Sequence, residues 1–323
     1  MNLRRLPGVL LLAALAVAGG RAALGDGARA DEAARGATAA TTGTATTAGA
    51  PITVRDGAGT EVTLQAPARR IVSLAPHATE LLFAAGAGDR VVGVVATSDY
   101  PPAATALPTV GDARALDLER IVALKPDLVI GWPYTSPAQA ATLAARGIAL
   151  FVSDPATPMA IADELERLGV LAGTSGTAVP AARALRERWR TLVARDRAGP
   201  PVRVFYEIWD APLFTLGGRH LVSQAIAACG GENVFAALTL PAPVVSVEAV
   251  LAARPEVIVA GAAGGVRPSW LDDWKQWPAL PAVANGALVT VDADLLHRAG
   301  PRFVAGAEAL CAAIDRGRPV AAR

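Results

Sequence analysis

Residues that could contact a ligand follow predicted strands at several points of the chain. Six of them lie in or near such loops: Tyr100, Trp132, Trp209, Phe214, Asp294 and Arg298. Loops at the carboxyl ends of parallel strands form the ligand-binding edge of α/β sheets. An aromatic side chain in such a loop is poorly explained as core, so we expect it to line a binding site. Asp294 and Arg298 have a simpler alternative, because they can pair with each other.

The sequence lacks the signatures of common catalytic sites. Its three histidines, His77, His220 and His297, are scattered along the chain, and neither GxSxG nor HExxH occurs. A zinc site would need about three converging His or carboxylate ligands, and no spacing here predicts one. The GAG segment at 86–88 follows a predicted helix and precedes a strand, the reverse of the dinucleotide-binding order. We therefore predict a protein that is not an enzyme, with no catalytic residue, no metal site and no catalytic cofactor.

An internal repeat predicts the elements that position the six residues. Residues 116–130 read LDLERIVALKPDLVI, and residues 245–259 read VSVEAVLAARPEVIV. Each copy has a capping residue, Asp117 or Ser246, then an apolar run at helical spacing and a basic residue followed by proline. These are the start and stop signals of a helix. A β-branched segment follows, so each copy is predicted to be a helix followed by a buried parallel strand.

Glu119 and Glu248 occupy equivalent places in the two copies, in the first turn of each predicted helix. One interpretation is structural, since a carboxylate near a helix N-terminus contributes about 0.3–1 kcal/mol. The other is functional: a matched acidic pair, one in each lobe, presented to a two-fold partner. The two interpretations are compatible.

The repeat indicates an α/β fold of two Rossmann-like lobes with mainly parallel sheets. Strands are predicted at 70–74 and 202–208, where each lobe opens, and a hairpin at 52–64 precedes the first lobe. An amphipathic helix of about five turns, with apolar residues from Leu185 to Val193, lies where the chain crosses between lobes. Such a crossover is stiffer than extended strands, so we expect limited hinge motion.

The start of the chain has the layout of a secretory signal. Arg4 and Arg5 precede an apolar run at 9–18, which is too short to span a bilayer. An Ala/Thr/Gly-rich segment follows and cannot bury enough surface to order itself. No cysteine lies directly after the apolar run, where a lipid could be attached, so we expect a cleaved periplasmic protein without a lipid anchor. The predicted division is: 1–23 signal peptide, 24–50 flexible leader, 51–157 N-terminal lobe, 158–199 helical linker and 200–323 C-terminal lobe.

The chain has two cysteines, Cys229 and Cys311, and a formal net charge of +1. An even pair in an exported chain favours a disulfide, with two free buried thiols as the alternative. The Lys and Arg residues are spread among Asp and Glu, so no nucleic-acid-binding surface is predicted.

Several segments resemble the periplasmic solute-binding proteins with a helical interdomain linker, and within them the cobalamin-binding branch. The matching segments cover most of the chain after the leader: 69–94, 98–102, 116–132, 229–235, 245–259 and 294–302. The segment RRIVSLAPHATELL is shared with siderophore and haem receptors, whereas SDYPP, LERIVALKPDLVI and CGGEN together are more specific to the cobalamin branch.

The resemblance implies that cobalamin or a related corrinoid binds between the lobes at Tyr100, Trp132, Phe214, Asp294 and Arg298. Trp209 is expected on a loop that faces the same cleft. The resemblance also implies a Cys229–Cys311 bridge.

The resemblance further implies the partners. Glu119 and Glu248 would dock onto arginines of the permease dimer of an ABC transporter, which works with its ATPase subunits, and the binding protein itself is expected to be a monomer.

Two alternatives to a corrinoid receptor stay open at this point. The first is the same fold with haem or a ferric siderophore as the ligand. The second belongs to another class, a periplasmic metal-handling enzyme or metallochaperone.

Overall fold

The computed structural model describes residues 50–112, 115–197 and 199–318. The predicted signal peptide and all of the leader except Ala50 lie outside the described residues.

The N-terminal part is a hairpin followed by a four-stranded α/β lobe. Its elements are β1 (Ile52–Arg55), β2 (Glu61–Leu64), β3 (Ile71–Ser73), α1 (Pro76–Ala84), β4 (Val91–Val94), α2 (Leu118–Ala123), β5 (Leu128–Gly131), α3 (Pro137–Ala144) and β6 (Ala149–Val152). β1 and β2 pair antiparallel, which confirms the predicted hairpin. The other four strands form a parallel sheet in the order β4-β3-β5-β6.

Two packed helices, α4 (Pro158–Ala172) and α5 (Ser175–Val193), connect the lobes. Thr157 caps α4 by accepting a hydrogen bond from the backbone N–H of Ala160, and Gly173 ends it in a left-handed conformation (φ 65°). The predicted five-turn crossover helix is therefore the second member of a pair. α5 packs against both α1 and α10 of the second lobe (defined below).

The C-terminal part repeats the architecture of the first. Its elements are β7 (Val202–Glu207), β8 (Trp209–Asp210), β9 (Leu213–Phe214), α6 (Leu221–Ala228), β10 (Gly231–Asn233), α7 (Val247–Ala253), β11 (Val257–Ala262), α8 (Pro281–Ala284), β12 (Leu288–Asp292), α9 (Ala293–Leu296) and α10 (Phe303–Ile314). The parallel sheet has the order β10-β7-β11-β12, and β8 and β9 form a small antiparallel pair. Two parallel-sheet lobes joined by helices confirm the predicted fold class.

The two copies of the repeat have the same local structure. Asp117 accepts from the backbone N–H of Arg120 at the start of α2, and Ser246 accepts from that of Ala249 at the start of α7. Lys125 and Arg254, each just before the proline, both have a left-handed backbone with φ 47°. The helix-then-strand prediction is confirmed at β5 and β11.

In each lobe the strands alternate their side chains between one large core and a separate smaller core, with the two-residue period of a pleated strand. In β7, Val204 and Tyr206 join a large core shared with α4, α5 and the first lobe, while Phe205 joins a separate core on the other face. Because the large core runs through α5 into both lobes, the lobes share one continuous apolar interior. This continuity gives the predicted limited hinge motion a physical basis.

Cys229 and Cys311 form a disulfide that ties the end of α6 to α10. Both residues are buried in the large core. In the three described stretches of chain, no helix has both the length and the apolar content that a bilayer crossing requires.

Candidate functional site

Charged side chains from both lobes meet in a group that we call the interlobe ion cluster: Glu80, Asp99, Asp294, Arg298 and Arg302. Glu80 lies on α1, and its buried carboxylate accepts hydrogen bonds from Arg302 Nε at 2.8 Å and Nη2 at 2.6 Å. Arg302 is the residue before α10. This bidentate pair is the strongest geometry available to an arginine and a carboxylate. The cluster therefore fixes the middle of α1 against the start of α10.

Arg298 bonds three carboxylates of the same cluster. It contacts Asp294 at 3.0 Å, Asp99 through both guanidinium nitrogens and Glu80 at 3.3 Å. Hydrogen bonding from Arg298 holds the pKa of Asp99 below its ordinary value. The pairing of Asp294 with Arg298 is present, and it forms only one part of a network across the lobes.

Tyr100 lies in the loop after β4 and is 41% exposed. The guanidinium carbon of Arg302 lies 3.9 Å from the centre of its ring, in a cation–π contact. The structure thus links Tyr100 to Arg298 and Asp294 through Arg302 and Glu80, two residues that were not predicted from the sequence. The one sequence signal for Arg302 was its position, shortly after Asp294 and Arg298 and directly before the apolar run of α10.

A second group of predicted residues forms a row on a small antiparallel ladder in the C-terminal lobe. Trp209 lies directly opposite Phe214 in the β8–β9 pair, and Phe214 is bridged on its other side to Val244. Directly opposite residues on antiparallel strands point to the same face. Val244 is 56% exposed, and Trp209 and Phe214 are half-buried. We call these three residues the apolar row; it offers a surface of one aliphatic and two aromatic side chains.

Trp132 lies just after β5, packed against the large core and half-buried. Its ring meets Tyr134 edge to face, with centroids 4.7 Å apart. Thr135 steadies the turn, because its hydroxyl accepts the backbone N–H of Trp132. Among the contacts of the described residues, no ring contact links Trp132 to the interlobe ion cluster or to the apolar row.

The histidines differ from the scattered arrangement expected from the sequence. His220 and His297 lie with ring centroids 6.4 Å apart, and His297 Nε2 is 3.0 Å from the hydroxyl of Tyr206. The two histidines are 77 positions apart in the chain, and only the topology of the second lobe brings them together. Searching the described ranges for three or more His, Cys, Asp or Glu side chains able to hold a metal ion returns no group.

His77 belongs to a different, interior chain of hydrogen bonds. Its Nε2 is 2.8 Å from the hydroxyl of Ser153, which donates a further bond to Glu164 on α4. The second carboxylate oxygen of Glu164 is buried without a hydrogen-bond partner. Burial raises the pKa of Glu164 to about 7 and lowers that of His77 to about 4.

Glu119 and Glu248 are both exposed, in the first turns of α2 and α7. Each stands two residues after the capping residue of its helix, so the two carboxylates occupy equivalent positions in the two lobes.

Three comparisons with known proteins bear on this site. The chain is 40% identical over 250 residues to a vitamin B12-binding protein of Photorhabdus laumondii, covering 77% of this chain and 89% of that protein. The crystal structure of the periplasmic vitamin B12-binding protein BtuF of Vibrio cholerae superposes with a TM-score of 0.69 at 35% identity, covering 78% of this chain and 98% of that one. The periplasmic haem-binding protein RhuT from Roseiflexus, in its apo form, gives a TM-score of 0.68 at 29% identity, covering 77% and 99%.

The chain also matches a whole protein family. Residues 71–295, well over half of the chain, match the periplasmic binding protein family. The matched range includes all four strands of the N-terminal parallel sheet, both linker helices and the ladder that carries the apolar row. This chain belongs to the periplasmic binding protein family.

Proposed function

We propose that this protein captures cobalamin or a related corrinoid between its lobes in the periplasm and delivers it to an ABC importer. The observation that carries the proposal is its 40% identity, over most of both chains, to a vitamin B12-binding protein. Family membership as a binding protein accords with a receptor that is not an enzyme.

The chemistry of the site supports a broad, flat ligand. A corrin macrocycle has wide apolar faces and a rim of amides. The apolar row and Trp132 suit the faces, because aromatic and aliphatic walls bury large apolar areas. Asp294 and Arg298 suit the rim, since a carboxylate accepts from amide N–H groups and a guanidinium donates to amide oxygens. We assign the ligand contacts to Tyr100, Trp132, Trp209, Phe214, Asp294 and Arg298.

The interlobe ion cluster limits how a ligand can bind Arg298. Arg298 already bonds Asp99, Asp294 and Glu80, so a ligand amide must share or replace one of these contacts. Asp99 is the side chain to be replaced, because its carboxylate is 59% exposed whereas that of Glu80 is fully buried.

Haem is the second candidate ligand, favoured by the likeness to the haem-binding protein RhuT at 29% identity. The Tyr100 hydroxyl would be the expected iron ligand on the first lobe. The cation–π contact with Arg302 would then have to persist beside a bound haem.

For delivery, we propose that Glu119 and Glu248 dock onto basic residues of the two permease subunits of the importer, whose ATPase subunits drive transport. The two exposed carboxylates are matched in sequence and local structure, as a dimeric partner would require. We also propose that the mature protein acts as a monomer, with lobes at 51–157 and 200–323 and a linker at 158–199.

The ligand class can be tested by retention. Purified protein is incubated separately with cobalamin, haem and a ferric hydroxamate siderophore, then desalted, and its visible spectrum is recorded. Retention of the corrin bands at one equivalent supports the proposal. A Soret band without corrin retention favours haem, and retention of neither macrocycle contradicts both candidates.

A further inference from the structure

Tyr206, Gly261 and His297 form a compact arrangement in the C-terminal lobe. Tyr206, near the carboxyl end of β7, is fully buried, and its hydroxyl lies 3.0 Å from His297 Nε2. Gly261 on the adjacent strand makes room for this pair, because an added Cβ there would lie 2.4 Å from the Tyr206 hydroxyl and 3.0 Å from His297 Nε2. Any larger residue at 261 would displace the phenol, the imidazole or the backbone, so the close packing depends on this glycine.

His297 as a residue is exposed at the boundary between the lobes, although its ring packs against Tyr206, and burial by this packing lowers the pKa of the imidazole to about 4. His297 follows α9 and immediately precedes Arg298, whose guanidinium reaches Asp99 and Glu80 of the other lobe. Tyr206 engages only Nε2, and the hydrogen bonds of the described residues include none to His297 Nδ1. A neutral imidazole with one engaged nitrogen thus lies beside residues assigned to the ligand.

Hydrogen bonding to the second nitrogen is the usual way in which a protein orients a metal-binding histidine. Here Nε2–H can donate to the Tyr206 hydroxyl, which leaves the lone pair of Nδ1 available. Burial raises the pKa of Tyr206 well above its ordinary value, so the hydroxyl stays protonated and neutral. The phenol therefore serves as a fixed, uncharged partner for the ring.

His220 is not equivalent to His297, although their rings are neighbours. Its Nδ1 accepts the backbone N–H of Val222 and caps α6, which places its proton on Nε2. Neither nitrogen of His220 is then free to bind a metal. The structure distinguishes the two imidazoles by their hydrogen bonds.

We propose that His297 is an axial ligand to the cobalt of a bound corrinoid that has an open or water-occupied axial position. The proposal rests on the corrinoid-binding function stated above. In this step the cobalt–oxygen bond to water breaks, the cobalt–Nδ1 bond forms and the water leaves to solvent. Cobalt stays trivalent, and the imidazole proton stays on Nε2, donated to Tyr206. The site would thereby favour corrinoids without a bound lower base over those whose cobalt already has two axial ligands.

Absorption spectroscopy of the full mature chain tests this with diaquocobinamide, a corrinoid with water in both axial positions. Free diaquocobinamide with saturating imidazole supplies the reference spectrum for nitrogen coordination. Under conditions that keep both axial positions of the free corrinoid as water, binding to the wild type should move the near-ultraviolet band to the position of that reference. Cyanocobalamin, whose cobalt has two axial ligands, should bind without such a shift.

Two variants assign the effect to one histidine. His297→Gln should give the unshifted, water-coordinated spectrum and bind diaquocobinamide about tenfold more weakly, a loss of about 1.4 kcal/mol. His220→Asn keeps a residue that can cap α6 and should retain the shift. A shift that survives His297→Gln, or that is lost in His220→Asn, would overturn the assignment.

The measurement on the wild type alone distinguishes failure of the axial-ligand proposal from failure of the proposed corrinoid-binding function. If tryptophan fluorescence shows diaquocobinamide binding while its spectrum stays that of the water complex, the axial-ligand proposal fails and the corrinoid receptor stands. If neither corrinoid binds, the proposed function itself fails, and the axial ligand with it.

Discussion

Glu80 and Arg302 are 222 positions apart in the sequence and form a two-bond ion pair between α1 and the start of α10. The carboxylate is buried, and its second arginine partner, Arg298, also bonds Asp99 and Asp294. The pair therefore connects the two lobes at the level of the proposed ligand contacts, on top of the core that they share through α5.

Replacing Glu80 with Gln should destabilise the protein by about 2–3 kcal/mol. The change removes the buried negative charge that Arg298 and Arg302 share, and it weakens their charge-assisted hydrogen bonds to this side chain. Urea unfolding at pH 7 measures the loss. Asp99→Asn is the matched control in the same cluster, and because its side chain is 59% exposed, its loss should stay below about 1 kcal/mol. Equal losses in the two variants would mean that Glu80 does not anchor the cluster.

Glu164→Gln should stabilise the protein at high pH and leave it nearly unchanged at low pH. Burial raises the pKa of Glu164 from 4.5 to about 7, so the folded state favours the protonated form. The cost of ionisation is absent below about pH 4.5, grows as the pH rises and is complete above about pH 7. Glutamine never ionises, so the variant should gain about 3 kcal/mol at pH 8.

Unfolding free energies of wild type and Glu164→Gln, measured from pH 4.5 to pH 8, test that dependence. Glu187→Gln on α5, an exposed position, is the control and should give a difference near zero at every pH. A Glu164→Gln difference that stays flat across this range would show that Glu164 ionises as an ordinary carboxyl.

Removing the Cys229–Cys311 disulfide should cost about 4–5 kcal/mol of unfolding free energy. The bridge closes a loop with a sequence separation of 82, and the chain-entropy relation gives this magnitude. The double substitution to Ala is compared with the wild type by guanidinium unfolding under oxidising conditions. A loss below about 1 kcal/mol would mean that the unfolded chain gains little freedom when the bridge is absent.

Charge reversal at both docking positions should separate transport from binding. Glu119→Arg combined with Glu248→Arg should abolish corrinoid uptake by cells and leave the affinity of the purified protein for the corrinoid unchanged. Both residues lie on exposed first turns of helices, so their replacement should not disturb the core. Glu187→Arg, another exposed reversal, should leave uptake intact. A matching loss of affinity in the double variant would assign the two residues to the cleft instead.

Local signals predicted the elements of the fold well. The capping residues Asp117 and Ser246 and the basic–proline ends of the repeat depend on neighbours within one turn, and the structure shows them where expected. The two-helix structure of the linker was not predicted: a single crossover helix was expected from the sequence. The break is short, because only Gly173 and Thr174 separate α4 from α5.

The candidate site was predicted only in part, and distance along the chain is the reason. Asp294 and Arg298 are four residues apart, and their pairing could be anticipated from helical spacing. Glu80 and Arg302, or His220 and His297, meet only after both lobes have formed, so no local pattern predicts them. A charged residue in the apolar run of α1 was the one signal that Glu80 must have a partner.

Corrinoid binding underlies every proposal for this protein, and tryptophan fluorescence of the purified mature protein tests it. Trp132 and Trp209 are assigned to the ligand, and a bound corrin absorbs where they emit. Titration with cobalamin should quench the emission in a saturable way at micromolar ligand, with one corrinoid per chain. The absence of a saturable change over that range would contradict corrinoid binding.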